Sequence, residues 1–287
     1  MRKTDVIIPV YAPDQEFGKM LSSLKAQTLP VRIIIVNTDR AAWDSCGGDE
    51  MVKAAGAEEI TTVRHIEKSE FNHGLTRNLG VTLSDAEVFV CMTQDAVPAD
   101  RFLLERLTGS LSGKIRAAYA RQLARAGSAE IERISREFNY PEKSAVRSVK
   151  DIETCGIKAF FCSNVCAAYD RRTFDVLGGF TETDFNEDMI YARKLLEAGY
   201  EIAYCAEARV IHSHNLSGIA QLKRNYLLGK SQKMHPETFG GIRSEGEGIR
   251  LVKTSARQLI DRGRWYEIPK LVWLSGCKYI GFLAGKL

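Results

Sequence analysis

Short apolar runs of strand length alternate with segments of helical periodicity in the first part of the chain, and this alternation constrains the fold more than any other feature. Four runs rich in β-branched and other apolar residues are predicted to be strands, at 5–10, 31–36, 59–65 and 88–92. Helices are predicted at 14–27, 42–55, 76–84 and 101–111. Strands that alternate with helices of this length form βαβ units, whose parallel sheet is covered by helices on both faces. The sequence therefore predicts an α/β fold.

The second half of the chain departs from this order. Residues 115–153 are charged and contain Pro141, and they are predicted to form a helix and a loop. We interpret about 113–155 as an insertion that selects an acceptor, because specificity often resides in segments carried by a rigid scaffold. Further strands are predicted at 160–169, 201–204 and 208–211, and further helices at 170–177 and 190–198.

The composition excludes several classes of protein. The chain has 45% apolar and 26% charged residues, which is typical of a globular protein. It contains no run of about 18 uncharged apolar residues that would predict a membrane span. The seven cysteines are odd in number and lack paired short spacings, which indicates thiols in a reducing compartment. With no signal-peptide pattern at the amino terminus, we expect a cytoplasmic protein.

Positive charge is concentrated at the end of the chain. Residues 221–287 contain 13 Lys and Arg against 5 Asp and Glu, a net charge of +8, whereas the preceding residues carry −4. Two amphipathic helices are predicted there, at 249–262 and from Pro269 onward. Such helices suit the inner surface of the cell membrane, but they could equally pack on the catalytic domain or on a second subunit as a homodimer. No nucleic-acid partner is expected, because base-stacking aromatics are not interleaved with the charge.

The sequence offers no familiar loop for binding phosphate. Neither a dinucleotide-binding glycine fingerprint nor a Walker A sequence follows the first predicted strand. A divalent cation could hold the phosphates in place of such a loop. Asp95 is placed to bind this cation, because ligands bind beyond the carboxyl ends of strands in open α/β sheets. The alternative is a turn aspartate that caps the following segment.

Two further motifs carry candidate chemistry. Glu187 and Asp188 begin a predicted helix, where acids are favoured by the helix dipole, but where a carboxylate could also take a proton from an acceptor hydroxyl. His212 and His214 follow a predicted strand, and a spacing of two residues directs both side chains to the same side. They could bind one metal ion, although histidines on strands also serve structural roles.

These motifs resemble those of a known family. The segments that carry the resemblance, in chain order, are DVIIPVY, FNHGLTRNLG, TQDAVP, REFNYP, GIKAFFCSNVCAAY, NEDMIYARKLLEAGY and HSH. Their ordered combination resembles the family-2 glycosyltransferases of GT-A fold, and within them the bacterial polysaccharide rhamnosyltransferases. The resemblance covers roughly residues 4–230. It implies a doubly wound, mixed and mostly parallel sheet in a nucleotide-sugar transferase domain at 1–220, with a basic helical extension at 221–287.

The resemblance also implies roles for individual residues. Asp188 matches the catalytic base with Glu187 beside it, and Asp95 matches the last acid of a metal-binding DxD, with Thr93 in place of the first acid. Because one acid is missing, His212 or His214 is expected to complete the metal site. The residues expected to contact the donor are Pro9, Tyr11, Asn37, Asp39, Arg77, Asn78, Gln94 and Arg224.

The implied reaction is a single in-line displacement with inversion at the anomeric carbon, assisted by Mg²⁺ or Mn²⁺. The implied donor is dTDP-β-L-rhamnose, and the acceptor is a cell-surface polysaccharide or a lipid-linked saccharide. Two alternatives stay open: a family-2 transferase that uses another sugar nucleotide, such as a UDP-hexose, or a catalytically silent saccharide-binding subunit.

Overall fold

The computed structural model describes residues 2–242 and 245–287. The strands within these ranges are β1 (Thr4–Val10), β2 (Arg32–Thr38), β3 (Thr61–Ile66), β4 (Val88–Met92), β5 (Val97–Pro98), β6 (Ile115–Leu123), β7 (Ala145–Arg147), β8 (Cys166–Asp170) and β9 (Glu201–Ile211). The helices are α1 (Gln15–Lys25), α2 (Arg40–Ser45), α3 (Gly48–Ala54), α4 (His73–Thr82), α5 (Leu103–Gly109), α6 (Glu130–Asn139), α7 (Asp151–Cys155), α8 (Arg171–Val176), α9 (Glu187–Glu197), α10 (Gly218–Met234), α11 (Pro236–Phe239), α12 (Glu245–Asp261) and α13 (Ile268–Lys286).

A single twisted sheet forms the centre of the molecule. Its strand order is β3-β2-β1-β4-β8-β6-β9-β5, and β7 pairs with β9. The pairings set β1, β2, β3, β4, β6 and β9 in one direction and β5, β7 and β8 in the other. Successive residues of β1 enter separate hydrophobic cores on opposite faces, Val6 and Ile8 in one and Ile7 in the other. The predicted mixed, mostly parallel α/β sheet is confirmed.

The carboxyl ends of the parallel strands bring the predicted site residues to one edge of the sheet. In the register of β1 and β2, Val10 lies opposite Asn37, and β4 pairs with the other side of β1. The Gln94 amide accepts a hydrogen bond from the Tyr11 backbone N–H at 2.7 Å and donates one to the Tyr11 carbonyl at 3.1 Å. This reciprocal pair fixes the segment after β4 against the segment after β1.

Several predicted elements were wrong in detail. The helix and loop predicted at 115–153 instead begin with strand β6, whose alanines and arginines are weak strand formers and which forms because it is paired on both sides, with β8 and β9. The strand predicted at 160–169 starts only at Cys166, after a 3₁₀ turn. The helix predicted at 42–55 is divided at Gly47, whose φ is +71°. The strands predicted at 201–204 and 208–211 are one strand with a bulge.

Four helices follow the sheet, and two of them approach each other very closely. A β-carbon at Gly281 of α13 would lie 2.2 Å from the Leu222 carbonyl oxygen of α10, and one at Gly285 would lie 2.1 Å from the Tyr226 carbonyl oxygen. The glycines are therefore required for the backbones of α10 and α13 to touch. In the part of the chain that the structure describes, no helix is both long enough and apolar enough to cross a membrane.

Helix α12, which lies between them in the chain, packs on α6. The hydrophobic contacts are made by Ile131 and Ile134 of α6 with Leu259 of α12 and Leu271 of α13. The segment predicted as the acceptor-side insertion thus contacts the basic C-terminal helices. All seven cysteines are free, as their spacing predicts.

Candidate active site

One candidate cluster, here called the triad, consists of Asp95, His212 and His214. Asp95 follows β4, and the two histidines follow β9 across the sheet. The His212 Nε2 atom lies 3.5 Å from Asp95 Oδ1, and the His214 Nε2 atom lies 3.3 Å from Asp95 Oδ2. One ligand atom from each residue falls within 4.8 Å of the others. The three residues that the sequence singled out as metal ligands are therefore brought together.

The side chains of the triad fit a divalent cation. Burial lowers the pKa of His212 well below its usual range and also lowers the pKa of His214, although the Asp95 charge opposes the second shift. Both imidazoles are thus neutral near pH 7. The nitrogen lone pairs of neutral imidazoles and the Asp95 carboxylate would together serve as ligands for such an ion. A set of one carboxylate and two imidazoles suits transition metals such as Mn²⁺.

An arginine that the sequence did not single out lies beside the triad. The Arg125 Nη2 atom donates to the Asp95 carbonyl oxygen at 2.6 Å and lies 3.6 Å from its carboxylate. The Arg125 backbone N–H donates to Ser213 Oγ at 3.0 Å, so the residue between the two histidines fixes the position of this loop. No motif marks Arg125, because the pairing of β6 with β9 is what brings it to the site.

The second predicted cluster lies where α9 begins. Asn186 has a left-handed backbone with φ of +66°, which turns the chain sharply before the two acids. The Glu187 carboxylate lies 3.1 Å from Arg77 Nη1 and accepts from Asn164 Nδ2 at 3.0 Å, and both members of the ion pair are buried. Burial pushes the pKa of Glu187 upward, but Arg77 and then His73 more than offset it, so this carboxyl is held ionised.

The adjacent carboxyl, Asp188, has a pKa that is raised and not lowered. Its Oδ2 accepts the Asn164 backbone N–H at 3.0 Å and its Oδ1 accepts the Met189 backbone N–H at 2.8 Å. Burial, followed by the adjacent Glu187 charge, raises the pKa of Asp188 to about 7. The carboxyl therefore exchanges a proton near neutral pH, which is the property that a general base requires.

A short network connects the two clusters. The Gln122 amide contacts His212 Nδ1 at 3.1 Å and donates to Ser163 Oγ at 3.0 Å. The next residue, Asn164, is the one whose backbone N–H holds Asp188. The metal-binding candidates and the candidate base thus share one hydrogen-bonded framework.

The residues predicted to contact a nucleoside lie at the ends of β1 and β2. Asp39 caps α2 through Ala41 and Ala42 and forms an ion pair with Lys68 at 2.7 Å, and this pairing is the main cause of its lowered pKa. The Lys68 ammonium lies 5.5 Å from the centre of the Tyr11 ring. Tyr11, Asp39 and Lys68 therefore form one cluster, in which the Lys68 ammonium lies over an aromatic ring and pairs with a carboxylate.

Other residues that were predicted to contact the nucleotide-sugar donor form contacts within the protein. Asn37 is buried and contacts His65 Nδ1 at 2.9 Å, and Pro9 lies inside β1. The Asn78 amide forms two hydrogen bonds with the Phe180 backbone, at 2.8 and 3.0 Å. The Arg77 guanidinium pairs with Glu187, as described above. These contacts show that the side chains hold the loops around the site.

A cavity of about 950 Å³ joins the site to the C-terminal helices. Its lining includes Asn186 and Met189, which flank the two acids of α9, and His214 of the triad. Most of the remaining lining comes from α6, α10, α12 and α13 and is apolar. Arg224 of α10 also faces this region, with its guanidinium 5.6 Å from the centre of the Phe185 ring.

Comparison with known proteins agrees with these features. A sequence profile described as Glycosyl transferase family 2 matches residues 5–178. The O-antigen chain rhamnosyltransferase RfbN of Salmonella typhimurium is 37% identical over 99% of this chain and 90% of its own. The O-antigen chain rhamnosyltransferase WbaN of Salmonella anatum is 34% identical over 98% of this chain and 88% of its own.

Solved structures are similar at lower identity. The mannosyltransferase PcManGT from Pyrobaculum calidifontis, in complex with GDP-Man and Mn²⁺, is 14% identical with a TM-score of 0.67, over 100% of this chain and 88% of its own. S. aureus TarS 1–349 in complex with UDP-GlcNAc is 12% identical with a TM-score of 0.56, over 99% of this chain and 90% of its own. These likenesses show the fold and confirm the predicted GT-A architecture.

Proposed function

This chain belongs to glycosyl transferase family 2, and from that premise we propose that it transfers L-rhamnose from dTDP-β-L-rhamnose to a lipid-linked saccharide with inversion at the anomeric carbon. The two relatives named as rhamnosyltransferases support the sugar, because their identity extends over nearly the whole chain. The observation that carries the proposal is that the triad and the two acids of α9 have different chemical properties and belong to one hydrogen-bonded network. One presents metal ligands, and the other presents a carboxyl whose pKa is about 7.

Asp188 acts as the general base in this proposal. The acceptor oxygen attacks the anomeric carbon while the bond from that carbon to the diphosphate oxygen breaks, and the hydroxyl proton passes to Asp188. Two backbone N–H groups, one on each oxygen, hold the carboxylate in a fixed orientation. Glu187 supports this role through its charge, which keeps the pKa of its neighbour close to neutral.

Asp95, His212 and His214 would hold the divalent cation, which when bound offsets charge on the departing dTDP. We favour Mn²⁺ over Mg²⁺, because Mg²⁺ prefers oxygen ligands and two of the three ligands here are nitrogens. Arg125 and Arg224 supply fixed positive charge on the same side of the sheet for the diphosphate. Tyr11 and Lys68, with Asp39, would receive the nucleoside at the ends of β1 and β2.

The cavity supports a lipid-linked acceptor. A saccharide alone is polar and has no use for an apolar cavity of about 950 Å³ next to the base. An acceptor with a lipid carrier could place the carrier among α6, α12 and α13 while its terminal sugar reaches Asp188. This arrangement would give the segment at 113–155 the acceptor-side role predicted for it.

The outer face of α13 supports attachment to a membrane surface. Trp265, Val272, Trp273, Ile280 and Leu287 are all exposed along this helix and the turn before it. Basic residues accompany them, whereas the single acid after residue 261, Glu267, is buried. Exposed tryptophans with adjacent positive charge suit the interface of an anionic bilayer.

A panel of nucleotide sugars tests the donor. We expect dTDP-β-L-rhamnose with Mn²⁺ to raise the melting temperature, because a ligand at 100 times its Kd stabilises the native state by about 2.7 kcal/mol. The product formed with a lipid-linked saccharide should carry an α-L-rhamnosyl group by NMR. Stabilisation and turnover with a UDP-hexose instead would contradict the donor, and binding without turnover would contradict the reaction.

Vesicle flotation tests the membrane surface. We expect the protein to float with phosphatidylcholine vesicles that contain phosphatidylglycerol, and not with phosphatidylcholine alone. The double substitution W265S/I280S should abolish flotation without lowering the melting temperature, since the two side chains are 68% and 60% exposed. Equal flotation of both proteins, or a dimer in light scattering that dissociates in the double variant, would contradict the proposal.

A further inference from the structure

A buried glutamine lies directly behind the triad, and neither the sequence motifs nor the reaction accounts for it. Gln122 belongs to β6 and is paired with Val210 of β9 in the centre of the sheet, where it is 2% exposed. A buried amide that left a polar atom without a partner would destabilise the fold. The four side chains that contact the Gln122 amide therefore show which of its two polar atoms is the oxygen.

The orientation of the Gln122 amide follows from Arg136. The Arg136 Nη1 atom is hydrogen-bonded to Gln122 Oε1. A guanidinium has donors and no acceptor, so the amide atom that it contacts must be the oxygen. The amide nitrogen then donates to the hydroxyl oxygens of Tyr140 at 2.5 Å and Ser163 at 3.0 Å, both of which can accept.

The orientation of the amide in turn fixes the proton of His212. The His212 Nδ1 atom lies 3.1 Å from Gln122 Oε1. Two acceptors at this distance would repel each other, so Nδ1 must carry the hydrogen and donate it. In a neutral imidazole the other nitrogen, Nε2, then has a free lone pair, and this is the atom that faces Asp95 Oδ1 at 3.5 Å.

We propose that Gln122 is a positioning residue that holds His212 in the Nδ1–H tautomer, so that its Nε2 lone pair is available to a metal ion before the ion arrives. Arg136 fixes the amide, the amide fixes the imidazole, and the imidazole presents the ligand atom. Hydrogen bonds of this kind behind a metal-binding histidine raise affinity by roughly 10–100-fold. The inference rests on the proposed metal-binding role of His212.

The tautomer can be measured in the metal-free protein. Long-range ¹H–¹⁵N NMR of ¹⁵N-histidine-labelled protein distinguishes a protonated Nδ1 from a protonated Nε2, and a His212→Asn sample assigns the signals. We expect the Nδ1–H form for His212. The Nε2–H form in the wild-type protein would overturn the inference, whatever the outcome of any transfer assay.

The second measurement is the binding of Mn²⁺ alone. The EPR signal of the free ion reports how much Mn²⁺ is unbound. Gln122→Met keeps the size of the side chain but accepts no hydrogen bond from His212, and we expect it to weaken Mn²⁺ binding by about 10–100-fold. Gln122→Glu still accepts from His212 and from Arg136, so it should restore the affinity to within a few-fold of the wild-type protein. The matched control is Gln27→Met, since Gln27 is another glutamine whose amide is fully bonded but lies far from the triad along the chain.

The outcomes separate this inference from the proposed function. Wild-type protein that binds Mn²⁺ while Gln122→Met binds it equally well would overturn the role of Gln122 and leave the transferase unaffected. Wild-type protein that binds no Mn²⁺ would overturn the metal site itself. If Gln122→Met fails to fold, the pair of Gln122→Glu affinity and the wild-type tautomer still supports or overturns the inference.

Discussion

The triad and the start of α9 both present a carboxylate, but their surroundings have opposite consequences. Asp95 faces two imidazoles whose pKa values are lowered by burial, so its carboxylate and their nitrogen lone pairs could together hold a cation. Asp188 is buried beside the charge of Glu187, and these two causes outweigh its backbone N–H donors, so its environment favours a proton. Two acids of the same type are thus given different properties by their neighbours, which supports the metal-binding role proposed for one and the role of base proposed for the other.

The same contrast exists within the second cluster. Glu187 and Asp188 are adjacent in sequence, yet one is held ionised by a buried arginine and the other retains its proton to about neutral pH. Environments that push two pKa values apart are typical of sites in which one group is chemical and the other electrostatic. Four experiments can break or sharpen these distinctions.

The largest effect is expected from Asp188→Asn. Losing a general base lowers kcat by about 10²–10⁴-fold, because the acceptor hydroxyl then has no group to take its proton. Donor and Mn²⁺ affinity should remain within a few-fold, as measured by calorimetry. Asp184→Asn, which changes an exposed acid four residues earlier, is the matched control and should retain activity. A loss of donor affinity as large as the loss of kcat would contradict the division between the two clusters.

The next effect concerns the acid that is held ionised. Glu187→Gln leaves Arg77 buried without its counter-charge, and breaking such a pair costs about 3–5 kcal/mol of unfolding free energy. It also removes a charge that raises the pKa of Asp188, so the acid limb of kcat/KM should move to lower pH. Urea denaturation and a pH–rate profile measure the two results. Glu182→Gln, an exposed substitution in the same loop, should change neither; an unmoved acid limb in Glu187→Gln would argue against electrostatic coupling.

A somewhat smaller effect is expected at the triad. Asp95→Ala removes the only carboxylate of the set, and we expect Mn²⁺ binding to weaken by at least about 100-fold, the upper end of what supporting residues alone contribute. Stability should change little, since Asp95 is near the surface and its backbone carbonyl still accepts from Arg125. Asp85→Ala, an exposed acid that precedes β4, serves as the control. Unchanged Mn²⁺ affinity would remove Asp95 from the metal site.

The smallest effect is a slope of stability with pH. Native Asp188 keeps its proton up to about pH 7, whereas the unfolded chain has lost it above pH 4, so the native state binds more protons in this window. The contribution of Asp188 therefore falls as pH rises, by at most about 1.4 kcal/mol per pH unit. Subtracting the unfolding free energies of Asp188→Asn from those of the wild type at pH 5, 6 and 7 isolates this contribution. A difference that stays constant or increases would show that the pKa is not raised.

The sequence predicts the first half of the fold well, because β1, β2 and β4 are continuous apolar strands whose ends are marked by polar residues. It also identifies the triad, since a spacing of two after a strand places both histidines on one side. It does not identify Gln122, Arg125 or Arg136. Gln122 and Arg125 reach the site through the pairing of β6 with β8 and β9, and Arg136 reaches it from α6. These long-range contacts leave no local pattern in the sequence. The different states of Glu187 and Asp188 likewise depend on Arg77, which is distant in sequence.

The glycine contacts between α10 and α13 have a practical consequence for exchanging the last helix with that of a relative. Because the Gly281 and Gly285 positions touch the carbonyls of Leu222 and Tyr226, a donor sequence lacking small residues there cannot dock on the recipient helix. An exchange that begins at Gly218, the first residue of α10, keeps both partners of the contact.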